Sequence, residues 1–180
     1  WGFAFNPTHI AGIQVFLQAF ANGNPFINLF GCSRENVLGR IKRCSVTHLS
    51  ATPTFYRLLL PADRSLGSVR RITFGGERFD STLRSELQVL FPKARILNVY
   101  ASTEAGSLFA ADGDLFTLDQ RYEGMVNIQD GQLMVAGNLL GQFAFEEKWF
   151  PTGDLVEIVS EKPLRFRFLS REGELVNVGG

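Results

Sequence analysis

Arg95-Ile96-Leu97-Asn98-Val99-Tyr100-Ala101-Ser102-Thr103-Glu104-Ala105-Gly106 is the stretch on which the reading of this chain turns. Ile96 to Val99 is a run of β-formers. It stops at a turn that carries hydroxyls, a glycine and one carboxylate, Glu104. Strand ends that open into such turns are where open α/β sheets hold their ligands. Tyr100 offers a flat ring for a base. Ser102 and Thr103 are neutral donors suited to phosphate oxygens. Glu104 is a hard oxygen ligand of the kind Mg²⁺ takes together with substrate phosphates. The same residues also make a plain strand followed by a polar turn with Glu104 solvated, and short motifs match by chance.

Upstream of this stretch, helix and strand alternate. Ile10, Ile13, Phe16, Leu17 and Phe20 recur at helical spacing, which predicts a helix with these residues on its buried stripe, capped by Thr8 and ended at Asn22-Gly23-Asn24. Pro25 to Phe30 reads as a short buried strand. A second helix is predicted after Ser33, with Glu35 in its first turn and Val37, Leu38 and Ile41 inward. Val46 to Ser50 reads as a strand. Pro53 opens a third helix with Phe55, Leu58 and Leu59 inward. Arg71 to Phe74 is a strand that runs into Gly75-Gly76-Glu77. Asp80 is placed to cap a helix that buries Leu83, Leu87, Leu90 and Phe91 and stops at Pro92. This alternation predicts a parallel α/β sheet.

Downstream of Glu104 the pattern changes. Short apolar runs at 107–111, 115–118, 124–128, 132–136, 153–159 and 165–169 are separated by Gly, Asp and Asn. Asp112-Gly113-Asp114 and Asp130-Gly131 are hairpin-turn signals. The expected fold class is therefore α/β: a parallel α/β subdomain over residues 1–105, then a small antiparallel β subdomain, barrel-like, over 106–170.

Composition narrows the function classes. The 180 residues are 45% hydrophobic and 20% charged, as in a soluble globular protein. Eighteen basic residues balance eighteen acidic ones, so nucleic-acid binding has no electrostatic support. No apolar run approaches the ~20 residues of a membrane span, and no signal peptide is visible. Cys32 and Cys44 lack CxxC spacing or a paired histidine, which argues against zinc. They read as reduced, small core residues of a cytoplasmic protein, with a disulfide not excluded by sequence. Seventeen phenylalanines fit a core or a lined apolar pocket. The chain starts at Trp1 and ends at Gly179-Gly180, so it is expected to be a piece of something longer.

Four segments carry chemistry. Gly75-Gly76-Glu77 joins a strand to a helix, either as a tight turn or as a place where a ligand can approach backbone. It lacks the Gly-x-Gly-x-x-Gly spacing of a dinucleotide fingerprint. His9 and Gly12 sit one helical turn apart, which suits capping and packing as well as a site. Pro151-Thr152-Gly153-Asp154 holds a carboxylate at a turn. Its two oxygens accept and do not donate, so it can take both hydroxyls of a ribose or serve as an ordinary Asp turn. Leu169-Ser170-Arg171-Glu172-Gly173-Glu174 supplies an arginine near the end.

Together with Asn98-x-Tyr100-x-x-Thr103-Glu104, these segments resemble the acyl-adenylate-forming (AMP-binding) superfamily: acyl-CoA synthetases, adenylation domains of nonribosomal peptide synthetases, and luciferases. They occur in that superfamily's order and at similar spacing, across nearly the whole chain. The resemblance implies part of the large N-terminal domain of an ATP-dependent, AMP-forming carboxylic acid ligase. Tyr100 would stack on adenine, Asn98 would bond its edge, and Gly75, Gly76 and Glu77 would border the adenine and acyl carboxylate. Thr103 would hold the α-phosphate and Glu104 the Mg²⁺. Asp154 and Arg171 would fix the ribose. His9, Gly12 and Ala101 would shape the acyl pocket, with Ala101 in place of a commoner glycine restricting it. Residues 171–180 would begin the hinge to a C-terminal domain, with Ser170 and Gly173 departing from the usual pattern.

The implied cofactors are ATP or AMP, Mg²⁺, and coenzyme A or phosphopantetheine as acyl acceptor. The implied partners are a small carboxylic acid and, if the acceptor is tethered, an acyl or peptidyl carrier protein. The Val-Asn-Val-Gly-Gly end at 176–180 tilts the acceptor toward coenzyme A. The superfamily's Pro-Lys phosphate loop and its Pro-x-x-x-Gly-Lys lysine are absent from these 180 residues, so the isolated chain is expected to catalyse poorly or not at all. A carrier-loading adenylation domain and a degenerate nucleotide- or acyl-binding homologue are the competing readings.

Overall fold

The computed structural model describes residues 1–77, 81–141 and 147–173. The chain divides into two compact units, Trp1–Val99 and Tyr100–Gly180. The division falls inside the organising stretch, and the side chain of Tyr100 packs against Phe109 and Phe168 of the second unit.

In the first unit, β1 (Gly2–Phe3), β2 (Ile27–Asn28), β3 (His48–Ala51), β4 (Arg71–Phe74) and β5 (Arg95–Ser102) form a sheet in the order β2-β1-β3-β4-β5. Every pairing up to β4–β5 is parallel. The connections are the helices α1 (Ile10–Ala21), α2 (Arg34–Arg43), α3 (Pro53–Arg57) and α4 (Ser81–Leu90). This 2-1-3-4-5 order is that of a doubly wound sheet, whose ligand crevice lies beyond the carboxyl ends of the strands. The core beneath it is Leu29, Val37, Leu38, Ile41, Leu49, Tyr56, Ile72, Phe74, Leu87 and Phe91, each almost fully buried.

The parallel α/β expectation holds, with four local corrections. First, β1 has no counterpart in the sequence pattern; at two residues it is too short to show alternation. Second, the strand at Pro25–Phe30 shrinks to β2 and is mostly exposed, because it is the outermost strand and has no neighbour on one side. Third, α3 ends at Arg57 with Tyr56 buried; just past it Leu59 is buried and Leu58 is 65% exposed. Fourth, α1 turns its other face inward. Gly12, Val15 and Ala19 are buried, at i, i+3 and i+7. Ile13, Leu17 and Phe20 of the expected buried stripe are 42%, 54% and 71% exposed. The small residues win because they let the helix backbone approach Asn6 and Pro7: a Cβ on Gly12 would lie 2.9 Å from the Asn6 carbonyl carbon. The displaced rings gather outside, with Phe16 edge-on to Phe26 at 5.3 Å.

Helix starts follow local chemistry. His9, not Thr8, is the N-cap of α1, its Nδ1 accepting from Ala11 N at 3.3 Å. Thr8 instead donates both N–H and hydroxyl to the Asn6 side chain. Ser33 caps α2 and Thr52 caps α3, with Pro53 at the first position, where its missing N–H costs nothing. The cap expected of Asp80 lies outside the described residues. Both cysteines are free thiols; Cys32 packs against the core, but Cys44 is exposed as the C-terminal cap of α2.

In the second unit, β6 (Gly106–Ala111) runs beside β5, whose last residues, Tyr100–Ser102, belong to this unit. The strands β7 (Leu115–Thr117), β8 (Val126–Gln129), β9 (Gln132–Ala136), β10 (Trp149–Glu161) and β11 (Leu164–Arg171) form an antiparallel sheet in the order β7-β11-β10-β9-β8. Asp130, at φ 51°, and Gly131, at φ 78°, make the β8–β9 turn that the Asp-Gly pair predicts. Phe109, Phe116 and Phe166 are buried with Leu133, Val135 and Val156. Phe116 and Phe166 stack at 5.9 Å, and Phe109 meets Phe166 edge-on at 5.4 Å. With Phe3, Phe74 and Phe91 also buried but Phe16, Phe20, Phe26 and Phe30 exposed, the phenylalanine excess is only in part core.

Candidate functional site

In the first unit, the expected site residues fall at the carboxyl ends of parallel strands. Gly75-Gly76-Glu77 leaves the end of β4, and Asn98 lies beside Phe74 on β5. Gly76 takes φ 80°, which L side chains rarely adopt. Gly75 is different. A Cβ there would meet only Val99 O, at 3.7 Å, an ordinary contact. Asn98 is a buried polar residue, 7% exposed.

Glu77 is engaged within the protein. Its Oε2 accepts from Thr54 N at 3.0 Å and from the Thr54 hydroxyl at 2.8 Å, with an Arg57 nitrogen at 3.7 Å. Thr54 follows Pro53 at the start of α3, so a carboxylate there satisfies a helix-terminal N–H. Glu77 therefore fastens the end of β4 to the start of α3. His9 caps α1 and is exposed, and Gly12 is buried against Asn6 and Pro7.

In the second unit, three of the expected residues come together. The Tyr100 hydroxyl donates to Asp154 Oδ2 at 2.6 Å, the short distance of a bond to an ionised acceptor. Arg171 Nε lies 3.9 Å from the other oxygen, Asp154 Oδ1. Asp154 and Arg171 are cross-strand partners on β10 and β11. The Tyr100 ring lies against Phe168 at 4.5 Å and 15°, and against Phe109 at 5.7 Å and 22°. Burial, and after it the bond to Asp154, pushes the Tyr100 phenol far above its ordinary pKa, so it remains a donor.

The Thr-Gly-Asp segment is a bulge within the long strand β10, not the turn the sequence suggests. Pro151 pairs with Met134 and Leu155 with Gln132, so four steps along β10 oppose two along β9. Gly153 absorbs the excess at φ 76°. The Thr152 hydroxyl donates to Leu133 O at 2.8 Å and accepts from Asp154 N at 3.2 Å. Bulges of this kind re-aim a side chain out of the ladder. Here the side chain aimed is Asp154.

Thr103 and Glu104 occupy the turn between β5 and β6, Thr103 exposed and Glu104 half-buried. The Ser102 hydroxyl accepts from Ala105 N at 3.0 Å, and Gly106 closes the turn at φ 68°. Ala101 is half-buried on β5. No hydrogen bond or ion pair to the Glu104 carboxylate is present among the described residues. No group of three or more His, Cys, Asp or Glu gathers as a metal site among them either. A lone carboxylate fits Mg²⁺, which takes one or two carboxylates and completes its shell with phosphate oxygens and water.

Thr152, Gly153, Phe109 and Phe168 also build this cluster, and sequence reasoning gave them no role in it. The i, i+2 spacing of Phe166 and Phe168, which puts both on one face of a strand, is a signal that points to Phe168.

Residues 4–128 match the family described as AMP-binding enzyme. The chain belongs to that family. A curated relative, the 2-succinylbenzoate–CoA ligase of Staphylococcus aureus, is 28% identical over 177 residues, a match covering 85% of this chain and 35% of that protein. The chain thus spans about a third of the length of the curated relatives it matches. Among solved structures, the O-succinylbenzoate coenzyme A synthetase of Bacillus subtilis, determined with ATP and magnesium ion, superposes with a TM-score of 0.73 at 22% identity, covering 100% of this chain and 43% of that one. A luciferase-like enzyme from the mealworm Zophobas morio gives 0.74 at 18% identity, covering 97% and 49%. These likenesses give the fold: a parallel α/β sheet and a separate antiparallel sheet, as in adenylate-forming enzymes. No described helix is long and apolar enough to cross a membrane.

Proposed function

We propose that this chain is part of an AMP-forming acid–thiol ligase, contributing the nucleotide- and acyl-binding portion. The observation that carries the reading is the Tyr100–Asp154–Arg171 cluster, in which a bulge brings together three of the sequence segments that mark the family. In the reaction, an oxygen of the substrate carboxylate attacks the α-phosphorus of ATP. An O–P bond forms, the bond to pyrophosphate breaks, and a thiol sulfur later displaces AMP from the acyl carbon. Coenzyme A is the acceptor the curated relatives' names favour; a carrier protein's phosphopantetheine is the alternative.

Each residue has a part in this reading. Asp154 accepts the ribose hydroxyls and Arg171 donates beside it. Tyr100, backed by Phe168, lies along adenine, and Asn98 bonds its edge. Gly75 leaves backbone open to the ligand, Gly76 shapes the turn, and Glu77 holds that turn to α3. Thr103 donates to the α-phosphate. Glu104 holds Mg²⁺, which when bound neutralises charge on the phosphate oxygens. His9, Gly12 and Ala101 bound the acyl pocket. Since the chain spans about a third of its relatives, we propose that it binds the adenylate but turns over poorly by itself.

Calorimetric titration with adenosine 5′-sulfamates of acetate, benzoate and o-succinylbenzoate tests this. These mimic the acyl phosphate without reacting. Binding that weakens at least tenfold in Asp154→Ala supports the reading. Equal binding by Asp154→Ala and the unaltered chain overturns it.

A further inference from the structure

We infer that the Tyr100 hydroxyl is a positioning group for Asp154, a role separate from any stacking by its ring. The inference rests on the proposed function, in which Asp154 accepts a vicinal diol.

A carboxylate that must take two hydroxyls at once needs a fixed plane, and an aspartate turning freely about its terminal torsion has none. Three groups can fix Asp154. Its backbone N–H is held by the Thr152 hydroxyl at 3.2 Å, which sets the chain but not the carboxylate. Arg171 stands 3.9 Å away with a side chain 58% exposed, and a solvated pair at that distance restrains little. The Tyr100 hydroxyl, at 2.6 Å from Oδ2, is the short contact. Asp154 is 17% exposed at its side chain, so this bond is shielded from competing water.

Tyr100 is itself fixed. Phe168 and Phe109 lie along its ring, and both belong to the buried aromatic cluster with Phe116 and Phe166. Rigidity passes from the core through the ring to the hydroxyl and then to the carboxylate. One oxygen, Oδ1, stays open to a ligand hydroxyl, and Oδ2 keeps a lone pair for a second, since a carboxylate offers about four acceptor positions. The phenol's raised pKa keeps the proton in place as the donor. A phenylalanine at position 100 would preserve the ring contacts and lose the hydroxyl's link to Asp154, together with its contact to the Thr152 side chain.

The test compares AMP with 2′,3′-dideoxy-AMP, which keeps base and phosphate and lacks the diol. Affinities are measured by calorimetry for the 180-residue chain, Tyr100→Phe and Asp154→Ala. A double-mutant cycle in urea unfolding combines Tyr100→Phe with Asp154→Ala. The expected result is that Tyr100→Phe weakens AMP about tenfold, the worth of one hydrogen bond to a charged group, and leaves dideoxy-AMP unchanged. The unfolding cycle should be non-additive. Equal losses for both nucleotides would assign the hydroxyl to the base or to the fold, and additive unfolding would mean the bond does not form; either overturns the inference alone. So does an unchanged AMP affinity in Tyr100→Phe when Asp154→Ala weakens it. If Asp154→Ala does not reduce the preference for AMP, or if the chain binds neither nucleotide, the functional reading falls and the positioning role falls with it.

Discussion

The Thr152 hydroxyl donates to the carbonyl of Leu133 at 2.8 Å while it accepts from the amide of Asp154 at 3.2 Å. One buried side chain thus satisfies an acceptor and a donor that the β10 bulge would otherwise strip from the ladder. Removing it strands both, and an unsatisfied buried group costs about 1–3 kcal/mol. Thr152→Val, similar in shape but without the hydroxyl, should lower unfolding stability by roughly that amount, read as a reduced urea midpoint at constant slope. Thr152→Ser should recover most of it. Equal midpoints for the valine and serine variants would mean the hydroxyl is not what closes the bulge.

Gly153 and Gly75 both sit in family segments, yet their backbones differ. Gly153 is at φ 76° and Gly75 is outside the left-handed region. Holding an L-residue in that region costs about 1–2 kcal/mol. Gly153→Ala should lose about that much stability. Gly75→Ala, whose Cβ meets only Val99 O at 3.7 Å, should shift it by less than ~0.5 kcal/mol. In nucleotide titrations Gly75→Ala should nonetheless weaken a ligand that approaches Gly75 closely. Comparable destabilisation by the two changes would defeat this distinction.

How much of this was legible depends on whether the signal was local. The cap Ser33, Pro53 at the start of α3, the buried faces of α2 and α4, and β4 follow from residues within a turn of each other, and the structure has them where the sequence puts them. Helix α1 was misread because two faces compete on it. Periodicity finds the large apolar residues, but close approach to Asn6 and Pro7 selects the small ones. The Asp154 bulge is not the turn the sequence suggests because register belongs to the partner strand: nothing in Pro151–Leu155 says that only the three residues Gln132–Met134 of β9 lie opposite its five. Family resemblance singled out Tyr100, Asp154 and Arg171, but the bond between the first two joins residues 54 apart, beyond any local pattern.

The inverted face of α1 separates tolerance from apolarity. Gly12→Ala drives a methyl group into the Asn6 carbonyl and toward Pro7 Cα at 3.2 Å, both backbone atoms that cannot rotate away. Overpacking of this kind costs about 1–3 kcal/mol. Phe20, 71% exposed, should accept Gln within about 0.5 kcal/mol. Phe20→Gln should also reduce binding of an apolar dye such as anilinonaphthalene sulfonate, since it breaks the Phe16–Phe20–Phe26 surface. If Phe20→Gln proved the more destabilising of the two, the face assignment would be wrong.

His48 should tie the stability of the first unit to pH. Its ring stacks on Trp1 at 5.0 Å and 4°, and its Nδ1 lies 2.8 Å from the Thr47 hydroxyl. Burial, with Arg71 and the chain's amino group adding to it, lowers its pKa below the ordinary 6.5. The folded state therefore holds fewer protons than the unfolded chain in the interval between the lowered value and 6.5, so stability rises with pH there. The contribution is complete above pH 6.5 and is lost as pH falls through that interval. Unfolding in urea should accordingly give a higher midpoint at pH 7.5 than at pH 5.5. The amino terminus, whose pKa burial also lowers, contributes with the same sign and is still present in a His48 variant. His48→Gln should thus narrow the gap between the two midpoints without closing it, even though loss of the Trp1 stack lowers both. A gap as wide in His48→Gln as in the unaltered chain would show that this histidine carries no part of the pH dependence.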